Sequence, residues 1–336
     1  KIIVSQVDYD RNPFYGLNQL PSFLSPFNDD FLYELKILKT YLNNYLKNSL
    51  QLDPRRDNWV FDAIQVYTMM NYINEYYPEE KMMGKIATFK LLKGYNLVSM
   101  DFNEQYYYFY MMMARKNLDQ PLGFSKDKLL KFNEKIASKA RAGLSLKYLD
   151  NYLNNSVIPK SISEFYLLNL SKQTNQNDLK TIIESNTNQS IDWFFEKVIA
   201  SRASIDYSFG SVSKTDSIIQ FKINNRTKNE VPIPVYGIKN NQIVSKIWIT
   251  NQSNDSIYKL PRNGADKIVI NYLAEVPEIN QRNNWKSLKR FHLFNKPIKF
   301  NFMKDVEDPK KNQIMYVPTI GYNYYDGLIP GIRLHN

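Results

Sequence analysis

Residues 58 to 67 read NWVFDAIQVY, a helical run that opens on Trp59 and carries one acid, Asp62, among apolar neighbours. Asn58 or Asp57 supplies a cap, and the pattern predicts a helix from Trp59 to Tyr77 that is apolar on most faces, as a helix packed on several sides must be. The simplest account of Asp62 is an acid in the first turn, where the helix dipole favours negative charge.

Upstream, Asn28, Asp29 and Asp30 provide a cap and an acidic first turn, and Phe31, Leu32, Leu35, Leu38, Leu42 and Leu46 repeat at helical spacing. A helix from Phe31 to Lys47 follows. Before it, Ile2 to Val7 reads as a strand and RNPFYGLNQLPSFLSPF as a loop. Downstream, helical segments are expected at Lys81–Leu92, Glu104–Asn117, Lys126–Tyr152, Ser161–Leu170, Asn177–Ser185 and Ile191–Ser201. From Ile205 to Tyr272 the runs become short and β-rich, with turn signals at Asn240-Asn241 and Asn263-Gly264, the pattern of a small β-sandwich. The final stretch holds a basic linker, RNNWKSLKRFHLFNKPIKFNFMK, and then NQIMYVPTIGYNYYDGLIPGIRLHN, whose alternation suits an edge strand or the first strand of an outer-membrane barrel.

The fold class expected is therefore α+β, over three parts: a mostly helical domain at 1–203, a β-sandwich at 204–280, and an extended segment at 281–336. A length of 336 residues exceeds what one hydrophobic core usually serves. The chain starts at Lys1 on a strand-like run, which reads as a processed product or an excised fragment lacking an N-terminal part.

Net charge is +11, yet Lys and Arg are interspersed with Asp and Glu rather than gathered in a stripe, so nucleic acid is not the expected partner. Heavy use of Asn, Lys and Tyr reads as genome composition. Cysteine is absent, which removes disulfides, thiolate nucleophiles and Cys-based metal sites and suits an oxidising compartment or the cytosol equally. No apolar run reaches the ~18 residues of a membrane-spanning helix. The two histidines, His292 and His335, stand far from any acid pair at ligand spacing. The apolar run YYYFYMMMA, 106–114, is read as core.

The order of features over residues 1 to 275 resembles the gluzincin zinc metallopeptidases of the aminopeptidase N type. There a strand and G-x-M-E-N loop precede a helix bearing H-E-x-x-H, a second helix begins W-L-N-E-G, and a helical lobe and β-sandwich follow. FYGLNQLP, 14–21, stands where the peptide-binding loop would be, which makes Tyr15, Gly16, Asn18 and Gln19 its candidates. WVFDAI resembles W-L-N-E-G with Asp62 at the third ligand position, and KARAGLSLKYLDNYL and SNTNQSIDWFF resemble later landmarks of the lobe.

The same alignment puts Leu35 and Lys39 at the two histidine positions, Lys36 at the general base and Ala140 near the catalytic tyrosine. Lys39 and Asp62 stand further apart than the family spacing, and no nearby register contains a histidine. Zinc needs imidazole and carboxylate donors with an open position for water; leucine has no lone pair and a charged lysine repels a dication. No cofactor is expected on this register. The resemblance then recasts Asp62 as a leftover ligand carboxylate with Lys36 or Lys39 as partner.

The resemblance implies a non-catalytic pseudopeptidase scaffold, thermolysin-like in its helical part, that binds protein or peptide in the periplasm or at the outer membrane of a Gram-negative bacterium. Its C-terminal segment would contact the membrane. An active zinc aminopeptidase, an accessory subunit of an outer-membrane assembly or transport complex, and a peptide-binding module working by β-augmentation are the alternatives.

Overall fold

A computed structural model describes residues 3–16, 20, 24–154, 156–250, 256–291 and 293–335. The class is α+β. The helical part begins with a short helix, α1 (Gln6–Arg11), where a strand was expected up to Val7. Ser5 explains the difference: its hydroxyl accepts the Asp8 amide at 3.2 Å and donates to the Asp8 carboxylate, an N-cap that turns the chain into a helix.

Two long helices carry the sequence patterns already noted, α2 (Asp29–Ser49) and α3 (Asn58–Tyr76). The helix expected at Lys81–Leu92 is replaced by turns and a 3₁₀ segment, Gly84–Thr88. Gly84 has φ +50°, and a Cβ there would sit 2.4 Å from the Pro26 carbonyl oxygen, so the chain turns under Pro26 instead of continuing a helix.

The remaining helices are α4 (Asn96–Ser99), α5 (Glu104–Ala114), α6 (Ser138–Tyr152), α7 (Val157–Asn169) and α8 (Gln176–Ser185). The stretch read as one helix from Lys126 is instead a 3₁₀ turn at Lys126–Lys128, a π-helical turn at Asn133–Ala137 and then α6. A second π turn covers Phe194–Ile199. Along α5, Tyr106, Tyr110 and Met111 are buried.

Beyond residue 203 the chain forms two antiparallel sheets. One holds β1 (Tyr207–Lys214), β2 (Ile218–Asn225) and β5 (Tyr258–Pro261); the other, in the order β4-β3-β6-β7, holds β3 (Ile233–Lys239), β4 (Gln242–Ile249), β6 (Lys267–Ile270) and β7 (Trp285–Ser287). Asn240 and Asn241, both at positive φ, close the β3–β4 hairpin, as the two-residue turn requires. The strand β3 is buried from Ile233 to Ile238, because Ile233 and Val235 join the core shared with β2 while Tyr236 and Ile238 meet Val269 and Trp285. β7 lies within the stretch read as a linker.

The hydrophobic core does not stop at residue 203. Tyr148 and Phe194 share one buried cluster with Tyr207, Ile219 and Val235. The Tyr148 hydroxyl donates to the Pro232 carbonyl, and its ring lies 4.9 Å from Trp193 and 6.2 Å from Trp248. The later segment also docks back: Asp305 accepts the amides of Asn96 and Leu97 at 2.6 and 3.1 Å, and Glu307 pairs with Arg115 at 2.9 Å.

A third sheet, in the order β10-β9-β8, is made of β8 (Ile298–Phe302), β9 (Asn312–Asn323) and β10 (Gly327–His335). The β9–β10 pairing places Tyr322 opposite Leu328, Ile320 opposite Pro330, Pro318 opposite Ile332 and Tyr316 opposite Leu334. Since side chains alternate between faces, all of these lie on one face, while the other is mixed, with Met315, Val317 and Ile329 beside Thr319, Gly321, Arg333 and His335. The apolar face is in solvent: Ile320 is 78 % exposed, Tyr322 76 %, Leu328 71 % and Ile332 69 %.

Candidate functional site

The helices α3 and α6 pack closely against each other, and a missing side chain permits it. A Cβ on Gly143 would lie 2.2 Å from Val66 Cγ1 and 2.4 Å from Val66 Cβ, so only glycine lets the two backbones approach this far. One turn earlier on both helices, Lys139 Nζ stands 3.5 Å from Asp62 Oδ1. Further along, the Tyr67 hydroxyl donates to Asp150 at 3.0 Å. These contacts advance together, so the two helices run in the same direction where they meet. Arg141 anchors α6 from its other side by donating to the carbonyls of Gln120, Val198 and Ser201 at 2.9, 3.1 and 2.9 Å.

Neither expectation for Asp62 survives. The helix α3 begins at Asn58 and has no acid in its first turn, so the dipole does not account for Asp62. Its nearest cation is Lys139, not Lys36 or Lys39. Lys36 Nζ stands 5.4 Å from the centre of the Tyr9 ring instead. Lys39 is buried and donates to the Pro13 carbonyl at 2.6 Å, with the Phe14 ring 5.3 Å away.

Charge and burial oppose one another here. Burial pushes the Asp62 carboxyl up, and Lys139, Lys126 and Lys39 pull it back. Burial, helped by Lys139 and opposed by Asp62, pulls Lys39 down to about 7. Lys39 and Asp62 thus feel each other's charge without touching. Leu35 lies in the hydrophobic core. Ala140, the residue aligned with the family's tyrosine, is also buried and apolar.

These residues do not fit zinc. The structure offers an apolar side chain at Leu35, a buried amine at Lys39 already committed to a carbonyl, and one carboxylate, Asp62, beside the Lys139 ammonium. Among the described residues no three His, Cys, Asp or Glu side chains gather as a ligand set.

Of the loop candidates, Tyr15 is partly exposed and rests edge-on against Phe109 at 5.6 Å and Phe132 at 6.2 Å. Gly16 sits at φ +109° in open space, with only the Phe109 ring tip 4.0 Å from a notional Cβ. Asn18 and Gln19 lie outside the described residues, as does His292. The Lys39 bond to Pro13 ties this segment to α2.

What the sequence reading missed is the ring of cations around Asp62. A cavity of about 180 Å³ opens beside it, lined by Arg11, Lys47, Lys126, Lys135 and Lys139, with Glu134 and Asn58 also on its wall. Lys135, Lys139 and Gly143 fall four residues apart on α6 and its preceding turn, one face of a helix. That spacing was the available signal; the partner across the gap was not readable from it.

The fold is similar to that of solved structures. A crystal structure of aminopeptidase A from Legionella pneumophila, in complex with aspartic acid, superposes with a TM-score of 0.50 at 9 % sequence identity. The likeness covers 80 % of this chain and 28 % of that one. The chain carries a peptidase-like fold. It spans little more than a quarter of that aminopeptidase's length. No family model matches the sequence, and no curated protein matches it.

Proposed function

We propose that this chain is a degenerate gluzincin of the aminopeptidase N type, a non-catalytic scaffold that binds protein or peptide in the periplasm or at the outer membrane of a Gram-negative bacterium. The observation that carries the first half is the donor set: Leu35, Lys36 and Lys39 stand at the positions of the family's metal ligands and base, and Asp62 is paired with Lys139. On this reading residues 1–203 are the peptidase-type domain, 204–280 the β-sandwich and 281–336 the segment toward the membrane. Tyr15, Gly16, Asn18 and Gln19 belong to the loop that would take an extended peptide.

The third sheet supports the membrane placement. One face of its two paired strands carries Ile320, Tyr322, Leu328 and Ile332 in solvent, as in strands that face lipid on one side. That same hairpin favours a second reading, an accessory subunit of an outer-membrane assembly or transport complex. Among the described residues no helix is long and apolar enough to cross a membrane.

Zinc analysis of the purified chain, before and after incubation with zinc, tests the scaffold reading together with an aminopeptidase assay. The expected result is no stoichiometric zinc and no cleavage of aminoacyl substrates, with crosslinking in cells yielding an envelope protein. One tightly held zinc with turnover would establish the active aminopeptidase instead.

A further inference from the structure

We infer that the cavity beside Asp62 is an anion site, built to hold a small molecule carrying two or more phosphate or carboxylate groups. The inference goes beyond the scaffold reading and does not depend on which protein or peptide the chain binds.

The charge count on the wall is unbalanced. Arg11, Lys47, Lys126, Lys135 and Lys139 face two carboxylates, Asp62 and Glu134. Asp62 is taken by Lys139 at 3.5 Å, and Glu134 by Lys131 at 3.1 Å and Lys126 at 4.0 Å. Among the described residues this leaves Arg11, Lys47 and Lys135 without a carboxylate within salt-bridge distance. Like charges in a shared concavity repel one another, and a bound polyanion removes that repulsion. At Lys47, partial burial of its otherwise exposed side chain comes first and Lys139 and Lys126 second in drawing the ammonium below the ordinary lysine range, with Asp62 and Asp8 opposing.

A neutral group points the same way. Asn58 is buried, lines the same cavity, and its side-chain oxygen has no hydrogen-bond partner. A buried polar atom left unpaired costs about 1–3 kcal/mol, and a ligand with a donor, such as a hydroxyl on a phosphate or a hydroxy acid, would recover it where the amide turns toward the cavity. The volume of about 180 Å³ suits a compact molecule rather than a polymer. One arginine among four lysines makes the wall a set of point charges more than a fork for one planar group, so multiplicity of charge is what it selects.

Calorimetric titration of the full chain with sodium pyrophosphate, and separately with citrate, tests this at fixed ionic strength. Saturable one-to-one binding of either is expected, weakening as salt is raised. Pyrophosphate alone would assign a phosphate ligand, citrate alone a carboxylate ligand, and both a site that reads charge only. Lys47→Glu and Lys135→Glu alter exposed side chains at the cavity mouth, and each should weaken binding about tenfold or more, about 1.4 kcal/mol. Lys259→Glu, an exposed residue on β5, should not. The inference is overturned if neither anion saturates by about 10 mM, a dissociation constant too weak for a built site, or if the two cavity variants bind like the Lys259 variant. Neither result bears on whether zinc is bound.

Discussion

Asp62 on α3 and Lys139 on α6 meet at 3.5 Å, one helical turn before Val66 closes on Gly143. The pair is therefore set by packing: the glycine fixes how near the helices lie, and the register fixes which residues face each other. Lys139→Met should cost about 1–3 kcal/mol, because a largely buried carboxylate loses its nearest cation. Asp62→Asn combined with it should cost less than the sum of the single changes. Urea midpoints give the double-mutant cycle, and additive values would show the pair to be incidental. Lys36→Met, over the Tyr9 ring, should change stability by no more than about 1 kcal/mol.

Gly143→Ala puts a methyl group where Val66 already stands. Overpacking of this kind costs about 1–3 kcal/mol, and here it would also push α6 away from α3. Loss of stability together with a weaker Asp62–Lys139 coupling is expected. A variant as stable as the parent would mean that the helices have room the contact does not reveal.

Lys39 predicts a pH dependence whose sign follows from its burial. Its pKa of about 7 in the fold lies below the value of 10.5 it regains on unfolding. Between these values the unfolded chain binds a proton that the folded chain does not, so stability rises with pH from about 7 to about 10.5 and gains nothing further above it. Lys39→Met abolishes this contribution. The difference in unfolding free energy between parent and variant should therefore favour the variant by a few kcal/mol near pH ~6 and shrink by pH ~10. Parallel pH curves for the two proteins would contradict it.

The β9–β10 hairpin predicts lipid contact. The full chain should co-float with anionic phospholipid vesicles, and Ile320→Asp with Ile332→Asp should abolish flotation without altering thermal unfolding, since both side chains are exposed already. Flotation that persists in this double variant would place the contact elsewhere.

Much of the helical part was legible because its signals are local. The apolar repeat of α2, the apolar run of α3 and the Asn-Asn turn between β3 and β4 each sit within a few consecutive residues, whereas the cap expected at Asp57 makes no side-chain bond to α3. Ser5 and Asp8 were equally local, but the apolar alternation of Ile2 to Val7 outweighed them and a strand was expected where α1 lies. The turn at Gly84 depends on Pro26 and could not be read from its own neighbours. The partner of Asp62 lies on a helix far along the chain, and helical spacing marks a face without saying what it meets. The family alignment falls on Ala140, while the adjacent Lys139 does the pairing.

The continuous core has a consequence for how the molecule comes apart. Tyr148 belongs at once to α6, to the Trp193 and Trp248 rings and, through its hydroxyl, to the strand entering β3. Heat or denaturant that loosens the sheets must strip the same side chain from the helices. Residues 1–203 made alone would expose Tyr148, Phe194 and their neighbours to water, so the natural unit of expression, and of cooperative unfolding, runs across residue 203 rather than ending there.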